Sequence, residues 1–263
     1  MFLKKRLEKV ENLLDELGVA KLLIEDPVDI FYLSGKSVTF GKLIIEKSRQ
    51  LLYTDKRYYD EIKQDSLVEI VLYHPTKFLE ELSSGRVGFD SSKTSHERFL
   101  LLQQELNTLV PLSAPLKKMR AIKDEKELAQ IKKAAQITWH AFSKLQQEII
   151  TGVSEKAVAA YFSNEVAKLD GELAFATNIS FGENSAYPHH HPSSCSYKPE
   201  QLILVDAGAK YLGYCSDMTR VVVNAAASKQ QELYQLVKNA YEAAVKICCP
   251  GTKIKDLDYA ARH

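Results

Sequence analysis

Two aspartates and a run of three histidines are the residues of this chain whose types and spacing could do chemistry. Asp206 closes one apolar run and Asp217 interrupts the next, within LILVDAGAKYLGYCSDMTRVVV at 202–223. The pattern predicts two strands joined by a tight turn. With the turn centred on Tyr211 and Leu212, helped by Gly213, the two acids become direct cross-strand partners, with Cβ atoms roughly 4.5–5.5 Å apart. Carboxylates at that separation repel and are poorly solvated in an apolar sheet. Either one takes up a proton or a cation lies between them. A pair of divalent metals would put both acids to use. The alternative is two ordinary strand aspartates, one bonded to backbone at a strand end, and spacing alone leaves both readings open.

His189, His190 and His191 lie in ENSAYPHHHPSSCSYKP. Histidine runs can ligate metal but are commonly loop residues. Close to two carboxylates and a metal, a histidine suits hydrogen bonding to substrate better than ligation. Asn184, Ser185 and Tyr187 read as polar loop or pocket lining. Arg57 and Tyr58, in YTDKRYYDEI, read as a solvated helix start.

These groups need a scaffold. Leu3, Leu7, Val10, Leu13, Leu14 and Leu17 form a helical stripe at the N-terminus. Short apolar runs then alternate with helical spacing as far as Leu106, which predicts an α/β domain. The proline-containing segment 111–118 is expected to carry the domain boundary, giving domains 1–117 and 118–263. Asp124 and Glu127 have the spacing of a capping box. Leu128, Ile131, Ala135, Phe142, Leu145 and Ile149 predict one face of the long helix that follows. A second helix from Ser154 turns Val158, Tyr161, Phe162, Val166 and Leu169 inward, and a third spans 231–249.

The 263 residues are 45% apolar and 26% charged, with a net charge of +1. That balance gives no electrostatic case for nucleic acid or an anionic membrane as partner. No run approaches the ~18 apolar residues of a membrane span, and no signal-peptide pattern opens the chain. A soluble cytoplasmic protein is expected. Cys195, Cys215, Cys248 and Cys249 fit no paired zinc pattern and are expected to be reduced and mostly buried.

Several segments together resemble the Xaa-Pro aminopeptidase and prolidase family of pita-bread metallopeptidases. DAGAKYLGYCSDMTR resembles that family's first metal-binding segment, FGENSAYPHH its substrate-histidine loop, and MRAIKDEKELAQIKKAAQI, at 119–137, its entry into the catalytic domain. DIFYLSG, LLYTDKRYYDEI and GFD resemble pieces of its N-terminal domain. The resemblance implies a creatinase/prolidase-like α/β domain followed by an α+β pita-bread domain. It implies two divalent metals held by two Asp, one His and two Glu. Asp206 would bind one metal and Asp217 would bridge both, while His189 would bind substrate or steady the tetrahedral intermediate. The family's remaining ligands lie beyond the helix that begins near Lys255, so the catalytic domain is expected to be incomplete here, and a protein of this length is expected to be inactive. The implied activity is release of an N-terminal residue that precedes proline, with manganese favoured and a homodimer as the assembly. The alternatives are a prolidase, which cleaves Xaa-Pro dipeptides, a creatinase-like C–N hydrolase and a non-catalytic peptide-binding module.

Overall fold

The computed structural model describes residues 2–64, 66–106, 108–223 and 228–263. The chain divides into two compact units, 1–124 and 125–263.

The first unit runs α1 (Phe2–Leu17), β1 (Lys21–Ile24), α2 (Pro27–Ser34), β2 (Gly41–Glu46), β3 (Arg49–Thr54), α3 (Lys56–Ile62), β4 (Glu69–Leu72), α4 (Pro75–Leu82), β5 (Val87–Asp90), α5 (His96–Glu105), β6 (Leu109–Leu112) and α6 (Lys117–Ala121). Its six strands form one mixed sheet in the order β4-β3-β2-β1-β5-β6. The apolar residues of β1, β2 and β3 are buried without alternation, as strands covered on both faces require. The α1 stripe supplies Leu7, Val10 and Leu14 to this core.

Helical spacing gave no sign of α2. It starts on the Asp26 side chain, which accepts from the Asp29 backbone N–H at 3.0 Å, and stops at Gly35 in the left-handed region. Asp29 itself is buried, between Lys93 Nζ at 2.7 Å and Arg120 Nη1 at 2.9 Å. Pro111, read from the sequence as part of the inter-domain segment, lies in β6. That strand is at the edge of the sheet, where a residue without a backbone N–H is tolerated.

The second unit contains α7 (Glu125–Glu148), α8 (Glu155–Ala167), β7 (Glu172–Leu173), β8 (Asn178–Phe181), a 3-10 turn over Gly182–Ala186, β9 (Ile203–Ala207), β10 (Ala209–Tyr211), β11 (Tyr214–Cys215), β12 (Met218–Val222), α9 (Ser228–Ile247) and α10 (Ile254–Arg262). The two long strands predicted for 202–223 are each broken, at Gly208 and at 216–217. They serve two antiparallel sheets, β12-β9-β8 and β11-β10-β7. Ile203, Val205 and Ala207 of β9 pack with Ile179 and Phe181 of β8 and with α7 and α8, forming the core of the unit. Leu204 and Asp206 face the other way and are only partly buried.

The buried face of α7 corrects the predicted stripe. Leu128 and Ala135 are exposed, and Ala134, Ile137, Thr138 and Ala141 are buried. Apolar periodicity could not count Thr138 as a core position, because hydrogen bonds rather than hydrophobicity bring it inside. The cysteines also depart from expectation. All four are free thiols, but Cys215, Cys248 and Cys249 are exposed and only Cys195 is partly buried. The last two follow α9, on which Leu236, Val237 and Tyr241 are exposed as well. Among the described residues, no helix is long and apolar enough to cross a membrane.

Candidate metal and substrate site

Asp206 occupies the central strand of the three-stranded sheet β12-β9-β8. Its register partners are Asn178 on β8 and Thr219 on β12, and direct antiparallel partners share a face. The Thr219 hydroxyl donates to Asp206 Oδ1 at 2.8 Å. The expected direct pairing of Asp206 with Asp217 is therefore incorrect. The turn residues are Leu212 and Gly213, with φ of 46° and 85°, and Tyr211 pairs with Tyr214. Two central residues of positive φ make the type I′ turn that suits hairpin twist. Leucine seldom takes that conformation, so the sequence pointed one residue too early. The Ser216 N–H donates to the Ala209 carbonyl at 2.9 Å and carries the same register across the break. Asp217 lies two residues before Thr219, exposed, as a diagonal neighbour of Asp206. Such neighbours are roughly 7–8 Å apart, a span that a cation with its ligand shell can bridge.

The break between β9 and β10 is held from α7. The Ala209 N–H donates to Thr138 Oγ1 at 2.8 Å. Thr138 Oγ1 lies 2.7 Å from Ser216 Oγ, which donates to the Ala209 carbonyl at 3.1 Å. Donors and acceptors balance when the Thr138 hydroxyl donates to Ser216, which closes a ring of hydrogen bonds around the break. Gly208 permits this approach, since a Cβ there would lie 2.1 Å from the Ser216 carbonyl oxygen and 2.8 Å from Phe175 Cε1.

The histidine loop is built around a carboxylate that the sequence reading passed over. Glu155 is the first residue of α8, and its side chain is fully buried. Glu155 Oε1 accepts from the Phe181 N–H at 2.8 Å and from Asn184 Nδ2 at 2.9 Å. Glu155 Oε2 accepts from the Ser193 N–H at 2.9 Å and the Ser193 hydroxyl at 2.7 Å, and lies 2.9 Å from His190 Nε2. Burial alone would raise its pKa, but hydrogen bonds from Ser193, Asn184, His190 and the Phe181 amide outweigh it and hold the carboxyl at about 2. An ionised carboxylate only accepts, so His190 Nε2 carries the proton. The helix N-terminus further favours the negative charge.

His189, the predicted substrate-binding residue, is exposed at the tip of this loop, and His191 is exposed as well. It occupies the third position of a turn in which the His190 N–H donates to the Tyr187 carbonyl at 3.1 Å, with Pro188 in the second position that favours proline. Asn178 Nδ2 donates to the Pro188 carbonyl at 3.2 Å. Asn178 is also the cross-strand partner of Asp206, so one residue links the histidine turn to the strand that carries the acid. Sequence reading missed Glu155, Asn178 and Thr138. Glu155 had one visible signal, an acid directly after the capping Ser154, but solvated helix starts look the same.

The sequence profile of metallopeptidase family M24 matches residues 129–263. The profile of the creatinase/prolidase N-terminal domain matches residues 6–122. The chain belongs to the M24 metallopeptidases. It is 31% identical over 99% of its length to the Xaa-Pro dipeptidase of Pyrococcus furiosus, covering 77% of that protein. Among solved structures, the prolidase of Pyrococcus horikoshii superposes with a TM-score of 0.91 at 30% identity, over 98% of this chain and 76% of the other. The X-Pro aminopeptidase of Thermotoga maritima gives 0.87 at 28% identity, over 98% and 76%. The creatinase-type domain and the pita-bread domain expected from the sequence are both present, the second over the part that these alignments cover.

M24 chemistry uses divalent metal ions, and the hairpin fits one end of such a site. Asp206 and Asp217 offer carboxylate oxygens, and neither forms an ion pair among the described residues. No group of three or more His, Cys, Asp or Glu gathers into a metal cluster among the described residues. Among the described residues the hairpin thus offers two carboxylates and no complete metal-binding group.

Proposed function

We propose that the protein hydrolyses the peptide bond that precedes proline, with Asp206 and Asp217 holding divalent metal and His189 meeting the substrate. The observation that carries this reading is the row Asn178, Asp206, Thr219 across three strands. It sets one acid beside a residue that holds the histidine turn and leaves the second acid diagonal to it. When bound, divalent metal supplies a water of lowered pKa and stabilises the developing oxyanion.

The chain's own groups have separate tasks. Thr219 donates to one oxygen of Asp206 and leaves the other for a cation. The exposed imidazole of His189 donates to the substrate carbonyl or to the charge that develops on it. Manganese is the metal this reading takes, since oxygen donors suit it, and a homodimer is its assembly, which sedimentation velocity checks.

The sequence pointed first to an aminopeptidase. The name of the 31% identical relative supports the dipeptidase form, and the name of the Thermotoga structure supports the aminopeptidase form. Relative kcat/KM for Met-Pro and Met-Pro-Gly in the presence of Mn²⁺, measured on protein that carries a complete M24 domain, separates them. A dipeptidase cleaves the first at least ~100-fold better, and an aminopeptidase reverses the order. Metal uptake without cleavage of either peptide would refute the proline specificity. Neither uptake nor cleavage would favour a peptide-binding module.

A further inference from the structure

Every donor around Glu155 belongs to the segment that carries His189, or flanks it. Phe181 precedes the loop, Asn184 lies within it, His190 directly follows His189, and Ser193 closes it. The backbone of α8 adds two more ties. The Glu155 N–H donates to the Cys195 carbonyl and the Lys156 N–H to the Ser193 carbonyl, both at 3.1 Å. The loop from Gly182 to His191 has no strand pairing of its own. A long loop of this kind ordinarily samples many conformations. Here its two ends and its centre converge on one buried carboxylate, while the tip at His189 is exposed.

We propose that Glu155 is a positioning residue, one that fixes the turn at 187–190 and so sets where the His189 imidazole meets the substrate. Asn178 shares the task through the Pro188 carbonyl. The inference rests on the proposed role of His189, and it adds the residue through which that role is set. Substitution by Gln keeps the shape of Glu155 but gives it an NH₂ group. Whichever way the amide turns, two N–H groups face donors of the loop, so bonds are lost on one oxygen position. The unanchored tip shifts by a fraction of an ångström to an ångström, a displacement that costs up to about 10²-fold in turnover.

The test has two readouts on Glu155→Gln, His189→Ala and the double variant. The first is amide hydrogen exchange on the whole chain. Glu155→Gln is expected to speed exchange at Phe181, His190 and Ser193 by about tenfold or more, with β9 and β12 amides unchanged, because the loop opens locally. The second is kcat/KM for Met-Pro with Mn²⁺, on the same variants made in protein that carries a complete M24 domain. Glu155→Gln is expected to lower it by about 10²-fold in the wild-type background and by less than about threefold in the His189→Ala background, since Glu155 acts through that histidine. Glu155→Asp, which keeps the charge, should recover part of the loss.

Unchanged loop exchange in Glu155→Gln overturns the inference. So does an equal loss in both backgrounds, which would mark Glu155 as a support of the whole unit. Wild-type turnover in His189→Ala instead refutes the role proposed for His189, and that outcome is read from the single variant alone.

Discussion

Gly208→Ala puts the hairpin geometry to a quantitative test. A Cβ at 208 would sit 2.1 Å from the Ser216 carbonyl oxygen, a backbone atom, and 2.8 Å from Phe175 Cε1. Side-chain rotation cannot relieve the first contact, so the two strands must separate by about 1 Å. Three hydrogen bonds cross that region: Ser216 N–H to the Ala209 carbonyl, Ala174 N–H to the Gly208 carbonyl, and Ala209 N–H to Thr138 Oγ1, at 2.8–2.9 Å. Weakening them at about 1 kcal/mol each, with some residual overpacking, gives a destabilisation of about 3–5 kcal/mol. The chain has one tryptophan, Trp139, next to Thr138 on α7, so its fluorescence during urea unfolding reports on this unit. Strand separation would also move Asp217 relative to Asp206, and Mn²⁺ affinity should fall with stability. If the variant unfolds within ~0.5 kcal/mol of wild type and binds Mn²⁺ equally well, the close approach described at Gly208 is wrong.

Glu155 gives a pH signature. Its folded pKa of about 2 lies below the ordinary 4.5, so the stability it contributes is present above pH ~4.5 and is lost as pH falls toward 2. That shift corresponds to at most about 3 kcal/mol. Urea midpoints between pH 2 and 6 should fall with acid in wild type and fall less in Glu155→Gln, and parallel profiles would contradict the carboxylate network. Leu212→Asn relieves a side chain at φ 46° that is 60% exposed. It should raise stability by about 1 kcal/mol in the same unfolding assay, and a loss would count against the type I′ turn. Asp29→Ala strips two cations of a shared buried partner. Since Lys93 and Arg120 are each about one-third exposed, the cost should be about 2–3 kcal/mol rather than the full penalty of a buried pair, seen as faster amide exchange across α2 and β5. Exchange unchanged from wild type would show that the pair contributes nothing.

Much of the scaffold was legible because its elements follow simple periods. The apolar triplets of β2 and β3, the stripe of α1 and the inward face of α8 carry enough hydrophobic pattern to be read directly. The errors arose where a polar group or an unusual backbone decided the outcome. The turn was misplaced by one residue because Leu212 occupies a left-handed position that glycine or asparagine usually takes. The face of α7 was misread because Thr138 is buried by its bonds to Ala209 and Ser216. At the site, Asp206, Asp217 and His189 stood out by type and by resemblance. Their supports, Glu155 and Asn178, did not, because a buried carboxylate at a helix start differs from a solvated one only through partners about 26–38 residues away in sequence.

The most direct test of the central claim is metal-dependent cleavage of Met-Pro by protein that carries a complete M24 domain, followed in wild type and Asp217→Ala with and without Mn²⁺. The account predicts proline release that requires Mn²⁺ in wild type and is abolished in Asp217→Ala, with loss of bound metal by mass spectrometry or elemental analysis. Metal-independent release, or normal turnover by Asp217→Ala, would contradict it.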